Sequence, residues 1–317
     1  MQNSLPTFLI VGAARSGTTS IYHWLSQHPD IYMSPVKETN YFTRDLIGRE
    51  GPGDREFIPF IDRAIIKSLI EKKKVLYSSI ISDIEDYKYL FLAGSKSIAR
   101  GEISPSYLYY SSYSAKRIRT LLPECKILII LRNPINRAIS NWKAMVAWGR
   151  EWLPFAKAIK ECEKRINNKW EHFWDYLGLG NYYKQIIPFM EIFPEDQLKI
   201  LLYEDLILFP QKAFDEICDF IEVNRCNISD NSYNSSPTLI NKTDLVFNRL
   251  RKINLKCGLA RKIYIKFSEK IYKNYKKFIY VNNAEKKELL KYYEKDIYNL
   301  EKIFPILKIS RWYEEER

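Results

Sequence analysis

Histidine and cysteine are both rare in this chain of 317 residues, three of the first and five of the second. The histidines (His23, His28, His172) form no cluster, and the cysteines (Cys125, Cys162, Cys218, Cys226, Cys257) lack the short spacings of a metal knuckle. No metal centre is therefore expected. An odd, scattered set of cysteines also excludes a disulfide scaffold and reads as reduced structural thiols. No run of 18 apolar residues exists, which excludes a membrane-spanning helix. Met1 to Pro6 lead straight into an apolar strand, which leaves no room for a signal peptide and predicts a cytoplasmic protein. No Pro/Gly/Ser-rich linker, internal repeat or low-complexity tract divides the chain, so one domain is expected rather than two.

What is present is an ordinary globular composition, 46% hydrophobic and 15% aromatic, enough for a full core. The net charge of +12 is uneven: Arg249 to Lys277 holds eleven Lys/Arg against the single acid Glu269. Its interleaved apolar residues suit a solvated basic helix with one face on the core. The alternatives are a surface that attracts an anionic acceptor, a membrane surface or an acidic partner.

The chemistry is concentrated in two strand-loop-helix units. In the first, Phe8-Leu9-Ile10-Val11 runs into Gly12-Ala13-Ala14-Arg15-Ser16-Gly17-Thr18-Thr19-Ser20. A strand, a small-residue loop and a helix start can wrap backbone N–H groups around a phosphate. The register resembles the P-loop pattern, with Gly12 and Gly17 in the glycine places and Thr19 in the Ser/Thr place. Thr18 stands where a nucleotide triphosphatase has the lysine that reaches the terminal phosphates, which argues against a P-loop kinase or NTPase. A cation is supplied instead by Arg15. In the second unit, the continuous apolar run Lys126 to Leu131 is of the kind found at the centre of a parallel sheet. It leads into Arg132-Asn133-Pro134-Ile135-Asn136-Arg137-Ala138-Ile139-Ser140. Pro134 suits the first helical position, which puts Arg132 at a strand end and Ser140 about two turns into the helix. That spacing can aim a guanidinium and a hydroxyl at one phosphate. The plain alternatives are a capping ion pair for Arg132 and a helix-surface hydroxyl for Ser140.

These units resemble the sulfotransferases that use 3′-phosphoadenosine 5′-phosphosulfate (PAPS). The first looks like their 5′-phosphosulfate loop, and L-R-[DN]-P-x-x-R-x-x-S looks like their 3′-phosphate site. Three more stretches agree: Gly101-Glu102-Ile103-Ser104-Pro105-Ser106-Tyr107, the run Lys199 to Leu202 ending in Tyr203-Glu204-Asp205-Leu206, and Ile309-Ser310-Arg311-Trp312. The resemblance is strong over 6–42 and 100–210 and thin over 43–96 and 225–290, where variable insertions in one 1–317 domain are expected. It implies an α/β fold with a P-loop-like open, mainly parallel sheet flanked by helices. It also implies PAPS as co-substrate, leaving as 3′-phosphoadenosine 5′-phosphate (PAP), with no metal. With no membrane anchor evident, a bacterial enzyme is expected.

Carried over residue by residue, the resemblance assigns Arg15, Ser16, Gly17, Thr18, Thr19, Ser20, Arg132 and Ser140 to cofactor binding. The segment Lys37-Glu38-Thr39-Asn40-Tyr41-Phe42 resembles the family's [KE]-E-x-x-[FY]-F, which implies Glu38 as general base, with Lys37 and Arg15 as catalytic cations. The alternative for Lys37 and Glu38 is a surface ion pair in a loop. Glu102 is the rival carboxylate. The pattern departs at Arg15, where glycan-type members usually carry lysine, and at Ile103, where some carry a lysine. The implied reaction is sulfuryl transfer to an acceptor hydroxyl, of a carbohydrate or alternatively as O- or N-sulfation of a small specialised metabolite. The implied partner is thus a glycan or small molecule, not a nucleic acid. A nucleotide-binding or membrane-surface protein without catalysis would be expected to have degenerate phosphate loops, whereas both are intact.

Overall fold

A computed structural model describes residues 5–47, 59–148, 150–228 and 279–314. The basic stretch 249–277 and Cys257 lie outside the described residues. Among the described residues five strands form one sheet: β1 (Phe8–Gly12), β2 (Ile31–Met33), β3 (Ala99–Ile103), β4 (Lys126–Leu131) and β5 (Leu198–Leu202), in the order β2-β3-β1-β4-β5. Each pairing among the described residues is parallel, with Leu9 opposite Glu102, Phe8 opposite Lys126 and Ile127 opposite Leu198. The predicted open parallel sheet flanked by helices is the fold observed.

The helices are α1 (Thr18–Leu25), α2 (Arg63–Glu71), α3 (Ile84–Leu92), α4 (Ser106–Tyr109), α5 (Ser111–Leu121), α6 (Pro134–Ala147), α7 (Phe155–Lys160), α8 (Cys162–Asn167), α9 (Tyr182–Ile192), α10 (Tyr203–Leu208), α11 (Pro210–Phe220), α12 (Asn283–Ile303) and α13 (Arg311–Glu314). Whereas β3 carries Arg100 and Glu102, the runs 8–11 and 127–131 are wholly apolar because helices cover both faces of the sheet. Strand alternation divides them between two cores. Leu9, Val11, Ile127, Ile129 and Leu131 face α3–α6, α9 and α12, whereas Phe8, Ile10, Leu128 and Ile130 face α1 and α11.

This arrangement gathers the C-terminal ends of four strands at one edge, the usual ligand side of an open parallel sheet. β1 emits the small-residue loop, β3 emits Ser104, β4 emits Arg132 and β5 emits Tyr203. The C-terminal run that resembles the family's tail is structural. Ile309 and Trp312 are buried, and Arg311 Nη1 donates to Asp205 Oδ1 at 2.8 Å, which ties α13 to α10.

Residues 59–96, where the resemblance is thin, prove to be built into the site. Residues 76–81 run alongside 36–39: the Lys37 N–H donates to Leu76 O at 2.9 Å, Ser79 N–H to Glu38 O at 2.9 Å, and Ile81 N–H to Thr39 O at 3.1 Å. The backbone on both sides of Glu38 is therefore held by a segment that carries little family pattern.

Candidate active site

The loop after β1 turns tightly before α1. Gly17 caps the helix at φ 80°, and a Cβ there would lie 2.8 Å from the ring of Tyr203. Both the left-handed conformation and the close approach require glycine. The Ser20 and Ile21 N–H groups donate back to the Gly17 carbonyl at 3.0 and 3.3 Å, and the Thr18 and Thr19 N–H groups ahead of them have no carbonyl within the helix to reach. Ser16 is fully buried, and its Oγ has no hydrogen-bond partner. Thr18 is buried, Ser20 is half-buried and Thr19 is exposed.

The second unit forms as its residues predict. Asn133 caps α6 by accepting from the N–H groups of Ile135 and Asn136 at 3.0 and 3.3 Å, and Pro134 occupies the first turn. Arg132 at the end of β4 and Ser140 on α6 are both half-buried.

The fold brings the two units into contact. Arg15 Nε donates to Ser140 Oγ at 3.3 Å, and Arg132 Nη1 donates to the Arg15 carbonyl at 2.9 Å. Arg15 is thus the bridge between the loop and α6. Burial pulls its guanidinium pKa down from the ordinary value, and the Arg132 charge adds to this; Glu38 opposes both. Two arginines held this close favour an anion between them. Arg132 also lies over the Tyr203 ring, 4.4 Å from its centroid.

Glu38 lies within electrostatic reach of Arg15. Its Oε1 accepts from Lys37 Nζ at 2.9 Å; the Lys37 side chain is 3% exposed and that of Glu38 21%. The carboxylate therefore reaches solvent, while its lysine partner does not. Glu102 differs. It is fully buried, and its Oε1 accepts from Thr39 Oγ1, from Ser104 Oγ at 2.7 Å and from Tyr107 Oη at 2.6 Å, while Oε2 accepts from Tyr87 Oη. Burial raises its pKa, and the hydroxyl donors only partly offset that rise. Saturated in this way, Glu102 fixes Thr39, the residue after Glu38, and has no face left for an acceptor.

Several contributors carried no assignment in the sequence reading. Tyr203 packs on both Gly17 and Arg132. Its place immediately after an apolar strand was a usable signal, since ligands collect at strand C-termini. Tyr182 donates its hydroxyl to the Arg132 carbonyl at 2.8 Å, and nothing local in the sequence announces it. Tyr77 reaches His23 on α1, with Oη 3.3 Å from Nε2, beside the Lys37–Glu38 segment. Ile103 is buried in the second core and puts no charge into the site. Among the described residues no group of His, Cys, Asp and Glu is arranged to hold a metal, and no helix is long and apolar enough to cross a membrane.

A small-residue loop thus meets an Arg/Ser pair at the C-terminal ends of a parallel sheet, and comparison with known proteins gives the class. A family model described as "Sulfotransferase family" matches residues 6–226. A solved sulfotransferase from Alicyclobacillus acidocaldarius is 31% identical, with 77% of this chain and 90% of that chain covered and a TM-score of 0.60. The chain belongs to the sulfotransferase family. Among curated proteins, rat carbohydrate sulfotransferase 15 is 23% identical over 236 residues, covering 63% of this chain and 41% of that protein. Mouse heparan sulfate glucosamine 3-O-sulfotransferase 3B1 is 22% identical over 221 residues, covering 70% and 47%. The chain thus spans less than half the length of these two relatives.

Proposed function

We propose that the protein transfers a sulfuryl group from PAPS to an acceptor hydroxyl, with a carbohydrate as the acceptor class. The observation that carries this reading is the junction of Arg15, Ser140 and Arg132, which joins both phosphate-type loops, with Glu38 in electrostatic reach of Arg15. The residues fit the donor: the buried Ser16 Oγ has no hydrogen-bond partner, and the half-buried Arg15 and Arg132 are held together beside it.

When bound, PAPS supplies an activated sulfuryl group on its 5′-phosphate. The 13–20 loop and the α1 N-terminus hold that phosphate through backbone N–H groups, with Ser16, Thr18, Thr19 and Ser20 as hydroxyl donors. Arg132 and Ser140 hold the 3′-phosphate. Arg15 stabilises charge gained on the leaving side. Glu38 takes the acceptor proton as the acceptor oxygen bonds to sulfur and the bond from sulfur to the 5′-phosphate oxygen breaks, PAP leaving; Lys37 orients that carboxylate. Names of the carbohydrate-modifying relatives support the acceptor class, and the solvent-reaching Glu38 carboxylate within electrostatic reach of Arg15 supports its use as a proton acceptor.

The test is to incubate the chain with PAPS and a panel of oligosaccharides and small hydroxyl or amine acceptors, with mass detection of sulfated product and of PAP. Sulfated oligosaccharide is expected. PAP release with product only on small amines would replace the acceptor class, and no PAP binding at all would remove the reading.

A further inference from the structure

Arg137 is fully buried on α6, one turn before Ser140. Its Nη2 donates to the Tyr176 carbonyl, while Nε and Nη1 have no hydrogen-bond partner. Among the described residues no carboxylate pairs with it. Glu204 and Asp296 both act on or bind Tyr182, as Arg137 does, and neither forms an ion pair with Arg137 among the described residues. Glu204 Oε1 accepts the Asn133 N–H at 2.9 Å, and Asp296 accepts the N–H groups of Tyr182 and Tyr183 at 2.9 and 3.1 Å. By contrast, the buried Arg165 forms a two-pronged pair with Glu151. A guanidinium cannot relieve burial by losing its proton, so an unpaired one is unfavourable unless a negative charge arrives nearby.

The surroundings of Arg137 lead to the junction of Arg15, Ser140 and Arg132. Its charge is felt by Tyr182, whose hydroxyl donates to the Arg132 carbonyl. Arg132 donates to the Arg15 carbonyl, and Arg15 donates to Ser140, which closes the ring on α6. The Arg137 charge also acts on Arg15 directly.

We infer that Arg137 is a positioning residue whose buried charge is balanced by the bound adenosine bisphosphate, so that the protein holds an uncompensated cation behind its phosphate site in order to bind a multiply charged anion. This rests on the donor reading given above. Arg137 touches no ligand atom. It acts through the Arg132 and Arg15 scaffold and through a field that the low-dielectric interior leaves poorly screened. It follows that ligand-free stability and anion affinity oppose one another at this position.

The experiment compares wild type, Arg137→Met and Arg137→Lys by calorimetric titration with PAP and by thermal melting with and without PAP. Arg137→Met is expected to melt at or above the wild-type temperature without ligand, to bind PAP at least about tenfold more weakly, and to show a smaller PAP-induced rise in melting temperature. Arg137→Lys, which keeps the charge, is expected to stay within about threefold of wild-type affinity. Should the Met variant not fold, Arg137→Gln serves as the neutral member of the comparison. PAP affinity within twofold of wild type in a neutral variant overturns the inference, as does an equal loss in the neutral and Lys variants. Failure of the wild type itself to bind PAP removes the donor reading and this inference together, whereas the other two results remove this inference alone.

Discussion

Replacing Glu38 by glutamine separates the two carboxylates that compete for the role of base, provided Glu102→Gln is measured beside it. Glu38→Gln keeps an acceptor oxygen for Lys37 Nζ, now 2.9 Å away, and loses the ionic part of that pair. With one side chain 21% exposed, the stability change is about 1 kcal/mol. Loss of proton acceptance should lower turnover by about 10²–10⁴, equivalent to about 3–5 kcal/mol of transition-state stabilisation. PAP affinity should stay within about twofold. In Glu102→Gln the balance reverses. Three hydroxyls at Oε1 keep a weaker, neutral acceptor, and Tyr87 Oη meets an amide N–H₂ where it met a carboxylate oxygen. One charged hydrogen bond is lost at about 1.5–3 kcal/mol, and relief of a buried carboxylate offsets part of the weakening of the others. The net expectation is about 2–3 kcal/mol of lost stability with a turnover loss of about tenfold or less in the folded fraction. The assay pairs denaturant titration with PAPS-dependent turnover corrected for folded protein. A Glu38→Gln enzyme with near-normal turnover beside a well-folded, inactive Glu102→Gln would refute the assignment.

Three other substitutions test separate parts of the structure. Arg132→Ala should weaken PAPS binding by about 1.5–3 kcal/mol and leave adenosine 5′-phosphosulfate, which lacks the 3′-phosphate, much less affected; equal losses would take Arg132 off the 3′-phosphate. Gly17→Ala combines a φ of 80° with a contact to the Tyr203 ring at 2.8 Å, so a destabilisation of about 1–3 kcal/mol and weakened PAP binding are expected by chemical denaturation and titration; an unchanged midpoint would show that the loop yields freely. Burial raises the Asp296 pKa from 3.8 to about 6, so its protonation favours the folded state fully below the unfolded value, and that contribution is lost as pH rises through about 6. Asp296→Asn should remove about 2–3 kcal/mol of that pH dependence between pH 4 and 6.5, and a slope identical to wild type would show that Asp296 is not its source.

Much of the fold was readable locally. Lys126 to Leu131 could be read as a central strand because a strand covered by helices on both faces needs no polar alternation, and α6 begins at Pro134 with the Asn133 cap that the dipeptide encodes. The two phosphate-type loops were equally legible, since tight backbone turns restrict residue choice at sites such as Gly17. The structural part played by residues 59–96 was not legible. That segment holds the backbone around Glu38, with Ser79 N–H donating to the Glu38 carbonyl and the Leu76 carbonyl accepting from Lys37 N–H, and almost any side chain can accompany those bonds.

The sequence by itself determined the strand periods, the loop chemistry and the membership of Arg15, Arg132, Ser140 and Glu38 in motifs, because each depends on neighbours within one or two turns of chain. Only the tertiary structure decided that Arg15 meets Ser140 across 125 positions, that Tyr182 and Tyr203 brace Arg132, and that Glu102 is sealed beneath four hydroxyls while Glu38 reaches solvent. It also decided that Arg137, which the motif presents as one more helix arginine, is buried without a carboxylate among the described residues. These are outcomes of sheet order and helix packing. A carboxylate or a guanidinium has the same covalent chemistry wherever it stands, and its role follows from which distant groups the fold places within a few ångströms and how much water it leaves beside them.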